Sequence, residues 1–299
     1  MIRKILLLTT VFALTLIACS STGKNPKAKK PPKIDMVWIS AGTFTMGSPK
    51  TEAGRYNWED PQHKVQLTNG FYMGKYIVTQ EQYLAVMGVN PSSFHEGDGR
   101  EPVSGEIQKK RPVNMVSWYD AIVFCNKLSI MSKLTPAYSI NGSVNPADWG
   151  KVPTSRNAAW NAVQIVADSN GYRLPTGAQW EYACRAGTTT AYNTGAAISD
   201  NTGWYNVNSN AMTRQVGLKP ANAWGLYDMH GNLWEWSWDW FGANSAEAKT
   251  DPMGASSGSA RVIRGGSWGS PAEGLRSAGR FYSDPAYRGD GLGFRLVRP

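Results

Sequence analysis

The chain has 299 residues, of which 41% are hydrophobic, 18% charged and 11% aromatic, with 31 Gly, 13 Trp and 13 Tyr. That apolar content is globular, and no run of about 18 apolar residues occurs, which excludes disordered, collagenous and multi-spanning membrane classes. The formal charge of +9 points to nucleic acid only until it is mapped: seven basic residues and no acid precede residue 34, residues 34–299 net only +2, and no nucleic-acid partner is expected.

In chain order, Arg3 and Lys4 precede an apolar stretch, Ile5 to Ala18, broken only by Thr9, Thr10 and Thr15. It has the length of an export-signal core and is too short to span a bilayer. It ends in Leu16-Ile17-Ala18-Cys19, which resembles the bacterial lipobox. The resemblance implies cleavage after residue 18 and acylation of Cys19, hence a membrane partner through the lipid anchor. Ser20 in the next position fits sorting to the outer membrane and cell surface. Residues 19–33 are rich in Lys, Pro and Ser with no large apolar side chain, so they read as a lipidated, flexible tether. Residues 34–299 form the domain.

From Ile34 the pattern is short strands broken by turns: 36–39, 42–46, 65–67 and 71–78. Three helices have capping-box starts, Thr79 with Gln82, Ser117 with Asp120 and Thr176 with Gln179, and Gly187 is expected to stop the third. The second half is Gly- and Asn-rich, with strands near 234–240, 261–268 and 293–297 and long loops over 187–223 and 242–260. The order predicts an α+β domain with little regular secondary structure. Cys125 and Cys184 sit in apolar helical contexts and read as buried thiols.

Little in the sequence looks catalytic. Its histidines are His63, His95 and His230, and no two His or Cys fall at a metal-ligand spacing. Gly265-Gly-Ser-Trp-Gly269 matches a nucleophile elbow by letters, but Pro271 and Gly274 spoil the helix that motif needs, and no His follows position 230. Trp234, Trp236, Trp238 and Trp240 alternate with Glu235, Ser237 and Asp239. An extended strand would face the indoles to the core and the carboxylates to solvent. Alternatively, Asp228 and Glu235 flank a Gly-containing turn and could join its carbonyls around a hard cation.

Met36 to Ser48, residues 71–83, Pro112 to Ala121, Gly171 to Ala183, Trp224 to Trp236, and Arg264-Gly-Gly-Ser-Trp268 with Gly293-Phe-Arg295 together resemble the formylglycine-generating-enzyme, or sulfatase-modifying-factor, family. The resemblance covers about residues 34–299 and implies a C-type-lectin-like fold. It also implies a structural Ca²⁺ site made by the side chains of Asp228 and Glu235 and the carbonyls of Gly231 and Leu233. It does not extend the activity. The family oxidase holds copper with paired cysteines after R-G-G-S, whereas residues 269–280 contain neither Cys nor His, so no copper is expected.

The same C-terminal segment resembles the variable proteins of diversity-generating retroelements, in which adenine-directed mutagenesis rewrites chosen codons on a fixed scaffold. That resemblance makes 261–299 the variable region. It points to Trp268, Gly269, Ser270, Pro271, Gly274, Gly279, Phe281, Tyr282, Ser283, Tyr287, Gly289, Asp290 and Gly291 as ligand-binding positions. Tyr, Phe, Ser and Gly on loops suit an adaptable surface. The expectation is a surface-displayed, non-catalytic lipoprotein that binds an extracellular protein or glycan. The alternatives are an enzyme of the family and a structural envelope lipoprotein with a fixed loop.

Overall fold

A computed structural model describes residues 30–299 except Glu96 and Asp98. The expected signal segment, Cys19 and most of the tether lie outside the described residues. In chain order the elements are β1 (Met36–Ile39), β2 (Gly42–Met46), β3 (His63–Leu67), β4 (Phe71–Gly74), α1 (Gln80–Met87) and α2 (Trp118–Met131). β5 (Tyr138–Ser139), α3 (Ala158–Asn161), β6 (Gln164–Ile165) and α4 (Gly177–Arg185) follow. The rest holds β7 (Trp234–Trp240), β8 (Lys249–Thr250), β9 (Arg261–Arg264), β10 (Arg280–Ser283), β11 (Leu292–Phe294) and β12 (Val297–Arg298). The class is α+β with little regular structure.

The three predicted helices form where their caps place them. Thr79, Ser117 and Thr176 each accept a hydrogen bond from the backbone N–H three residues on, and Gln82, Asp120 and Gln179 each accept one from the cap's own N–H. Each cap is worth about 1 kcal/mol. α4 ends one residue earlier than expected, because Ala186 itself takes the left-handed conformation at φ 46°. The strand expected over 261–268 stops at Arg264, where Gly265 and Gly266 turn the chain at φ 97° and 75°, conformations only glycine adopts cheaply. The strand expected over 71–78 stops at Gly74, and that expected over 293–297 divides into β11 and β12, which join different sheets.

The central sheet has the order β10-β9-β7-β11, with β7 parallel to β11 and antiparallel to β9. Two helices enclose it. Trp236 on β7 donates its indole N–H to the Val116 carbonyl at the start of α2, and is fully buried with Trp118, Phe124 and Phe294. On the other face, Trp180 of α4 donates to Glu235 Oε2 at 2.8 Å and packs with the β1–β4 and β2–β3 sheets. Both faces of β7 are therefore interior, and the expected solvated acidic edge does not exist: Glu235 and Asp239 are buried. Strict alternation signals a half-exposed strand only when one face meets water.

Candidate ligand-binding face

The central sheet carries a continuous patch of aromatic rings at one edge. Phe281 and Tyr282 on β10 lie with ring centroids 5.8 Å apart. Phe281 meets Trp58 edge-on at 5.3 Å and Trp234 at 5.9 Å, while Tyr282 meets Phe241 at 4.5 Å. Tyr56 stacks on Trp58 at 5.1 Å. Tyr282 is 48% exposed and the other five rings are half-buried, so the patch offers aromatic area to solvent on a braced base. Rings with few rotatable bonds supply contact area at low entropic cost.

The brace lies underneath. The Trp58 indole N–H donates to the Arg280 carbonyl at 2.7 Å. The Arg280 guanidinium, buried, donates to Asn244 Oδ1 at 2.7 Å and the Gly242 carbonyl at 3.0 Å, and sits 4.6 Å from the Phe241 ring centre. Burial lowers its pKa to about 10, so it stays charged at neutral pH. Farther along, Trp268 donates its indole N–H to the Asp290 carbonyl at 3.2 Å, and the Gly291 carbonyl accepts from the Trp234 N–H at 2.9 Å. The structure thus joins Gly291 and Phe281 to Trp234, Tyr282 to Phe281 and Trp268 to Asp290, with Gly269 and Pro271 exposed, Ser283 half-buried and Tyr287 55% exposed.

Four of the expected ligand-binding positions are corrected to scaffold. Ser270, Gly274, Gly279 and Gly289 are buried. Ser270 Oγ accepts from the Ser267 N–H at 3.0 Å; a Cβ on Gly279 would lie 2.9 Å from the Arg276 carbonyl, whereas one on Gly289 would meet only the exposed Tyr287 ring, which can move aside. These positions shape the loop from inside. Conversely, Tyr56, Trp58 and Phe241 were not among the expected positions, and Trp234 was expected only in the core. The available signal was Tyr56-Asn-Trp58 in a polar connection between β2 and β3, since exposed loop aromatics need a reason.

Three of the four residues expected to hold calcium already have protein partners for the oxygens concerned. Both oxygens of Glu235 are taken by Arg295, from Nη2 at 2.9 Å and Nε at 3.0 Å, with Trp180 adding a third donor. Asp228 Oδ2 accepts from the Gly217 N–H at 2.8 Å, and the Gly231 carbonyl from the Leu233 N–H at 3.0 Å. Gly231 is required for its backbone, at φ 103°, where a Cβ would come 2.1 Å from the Trp204 carbonyl. The cation that faces Glu235 is the Arg295 guanidinium.

Burial raises the Asp228 pKa to about 6, against which the Gly217 hydrogen bond and Arg295 act only partly. Between about pH 4 and pH 6 the folded protein holds a proton on Asp228 that the unfolded chain has lost, so stability falls as pH rises through that window. Asp228→Asn keeps an acceptor for the Gly217 N–H, gives up the long 3.4 Å bond from Asn232 and removes the charge. It is expected to stabilise the fold at pH 7 by about 1–3 kcal/mol and to flatten the profile across that window, in urea titrations with and without chelator. A loss of stability confined to calcium-containing buffer would restore the calcium reading.

Cys125 and Cys184 are free and fully buried, in α2 and α4. Burial pushes the Cys184 thiol up to about 12; its Sγ lies 3.7 Å from both His230 Nε2 and Ser277 Oγ. His230 is neutral: burial lowers its pKa to about 4, Nδ1–H donates to the Leu275 carbonyl at 2.6 Å, and Nε2 accepts from the Asn193 N–H. Neither thiol reaches the aromatic patch as a thiolate.

Residues 21–299 match the sulfatase-modifying factor enzyme 1-like domain (FGE-sulfatase). The chain belongs to this family. The match begins ahead of residue 34, where the domain is expected to start. Among relatives, the chain is 34% identical over 318 residues to "Chaperone protein LppX" of Paenibacillus barcinonensis, covering 99% of each chain. It is 29% identical over 306 residues to the formylglycine-generating enzyme of Bos taurus, covering 93% of this chain and 78% of that one. Among solved structures, Treponema denticola variable protein 1 superposes with a TM-score of 0.79 at 38% identity, covering 88% of this chain and 95% of that one. The fold is the C-type-lectin-like type of the formylglycine-generating enzymes, and the resemblance to both the enzyme family and the variable proteins holds.

Proposed function

We propose that this chain is a lipid-anchored protein of the bacterial cell envelope that binds an extracellular protein or glycan through the aromatic face, and that it does not make formylglycine. The observation that carries this reading is the patch of Tyr56, Trp58, Trp234, Phe241, Phe281 and Tyr282, assembled from three separate segments on a buried Arg280 brace. The similarity to variable protein 1 supports it, as does the Cys19 motif, which supplies the anchor and outer-surface location. The absence of Cys from 269–280 and the burial of both domain thiols argue against the family's oxidase chemistry. Diversification, on this reading, acts at Gly269, Pro271, Phe281, Tyr282, Ser283, Tyr287 and Asp290, while Gly279 stays constant.

The test is a printed glycan array together with a panel of purified serum and extracellular-matrix proteins. At least one saturable binder is expected, weakened about tenfold or more by Tyr282→Ala or Trp58→Ala, as for a ring at the centre of a contact. Silence on both panels, or binding indifferent to these rings, counts against the reading. A cysteine-containing sulfatase peptide incubated with the protein and copper is expected to show no aldehyde mass; its appearance would establish the enzyme.

A further inference from the structure

Buried arginines in this fold are almost all satisfied. Arg185 and Arg264 share Glu181, Arg276 is held by Glu52 and Glu59, and Arg295 by Glu235. Arg280 and Arg111, which have no carboxylate, each donate to three oxygens. Arg261 is different. It is 1% exposed, yet among the described residues its guanidinium makes one hydrogen bond, from Nη1 to the Trp238 carbonyl at 2.7 Å, and no ion pair; its Nε is buried with no partner, as are Arg264 Nε and Arg111 Nη2, but those two guanidiniums are held through their other nitrogens. A guanidinium has five N–H donors, and burying charge without an acceptor is costly.

The surroundings restrict what could satisfy it. The Trp118 and Trp240 ring centres lie 3.8 Å and 3.4 Å from the Arg261 Cζ, so indoles cover the guanidinium and leave its N–H edges as the route for an acceptor. Arg261 lines a cavity of about 530 Å³ with Trp238, Trp240, Asn161, Ser256 and Met253. Asn161 Oδ1 accepts from the Tyr119 hydroxyl at 2.7 Å, which leaves its NH₂ as a donor. Trp238 and Trp240 are half-buried, giving the cavity apolar walls.

We propose that this cavity is a second binding site, for an acidic sugar residue whose carboxylate meets the edge of Arg261. The planar fork of a guanidinium matches a carboxylate in two parallel hydrogen bonds. Indole walls suit the C–H face of a pyranose ring, and Asn161 and Ser256 supply hydrogen bonds to hydroxyls. The volume lies in the range of small-ligand sites. The site sits beside the strand-β9 end opposite Arg264 and does not depend on the aromatic face being a binding surface.

The test titrates the purified full chain with glucuronic acid and with N-acetylneuraminic acid, each beside its methyl ester, and with sodium acetate, read by calorimetry and indole fluorescence. One acid is expected to bind at least about tenfold tighter than its ester, because a site built for a charged group rejects the analogue lacking it, and tighter than acetate. Which acid wins identifies the sugar. Arg261→Lys is expected to lose about tenfold or more. Asn161→Ala, outside the indole stack, is expected to lose several-fold, so the conclusion survives if the arginine variant does not fold. No saturable binding of either acid, or equal binding of acid and ester, overturns the proposal. Acetate binding as tightly as the sugars reduces it to an anion site and overturns the sugar.

Discussion

Arg295→Met is expected to lose about 3–5 kcal/mol of folding stability, read as the shift in a urea unfolding midpoint at neutral pH. Arg295 and Glu235 are both fully buried. All three nitrogens of the guanidinium donate, to the Glu235 carboxylate, the Gly74 carbonyl at 2.9 Å and the Tyr227 carbonyl at 2.8 Å. Removing it leaves Glu235 charged in the interior with only the Trp180 indole as a partner. The penalty is that of an orphaned charge more than of a lost attraction. Glu235→Met/Arg295→Met should therefore recover much of the loss, since an apolar pair of similar volume replaces both charges. Single variants within about 1 kcal/mol of the parent would show that water reaches the site. The pair joins β7 to the segment after β11 and, through Trp180, to α4. Its failure would loosen the sheet that presents the aromatic face.

What could be read from the sequence divides along the range of the interactions. The helix starts were legible because a capping box is complete within four residues, and the turn after β9 was marked by Gly265 and Gly266, although the expected strand ran through it. Glu235 and Asp239 were misread because their environment is made by residues far away: Arg295 reaches Glu235 across 60 positions, and the Gly177 N–H reaches Asp239 Oδ2 at 2.6 Å across 62. Alternation tells which residues share a face, and nothing about what covers it. The same limit hid half of the candidate face. Trp58 joins Arg280 across 222 positions, so no local pattern could put the β2–β3 connection beside β10. Family resemblance supplied the scaffold and the expected C-terminal region. It could not separate Tyr282, which points outward, from Gly279, which the Arg276 carbonyl encloses.

That enclosure identifies the second large effect. Arg276 lies inside the expected variable region, yet it is 1% exposed and clamps the β2–β3 connection to it. Nη1 donates to Glu52 Oε1 and to Glu59 Oε2, each at 2.7 Å; Nη2 bonds Glu59 Oε1, and Nε donates to the Glu273 carbonyl at 3.1 Å. The same Glu59 Oε1 accepts from the Tyr56 N–H at 3.1 Å, so the clamp sets the turn that carries Tyr56 and Trp58. Arg276→Met strands a buried carboxylate and is expected to lose about 3–5 kcal/mol. The damage should also be local. Trypsin should cut after Lys50 or Arg55 much faster in the variant under conditions where the parent resists, because opening of this connection no longer breaks the ion pairs. Glu59→Gln keeps the shape and one of the two acceptor oxygens and should fall between parent and variant. If Arg276→Met leaves both the unfolding midpoint and the cleavage rate unchanged, the clamp does not hold the face. The aromatic rings of the two segments would then have to find each other through packing alone, and the ligand-binding reading would lose the rigidity on which it depends.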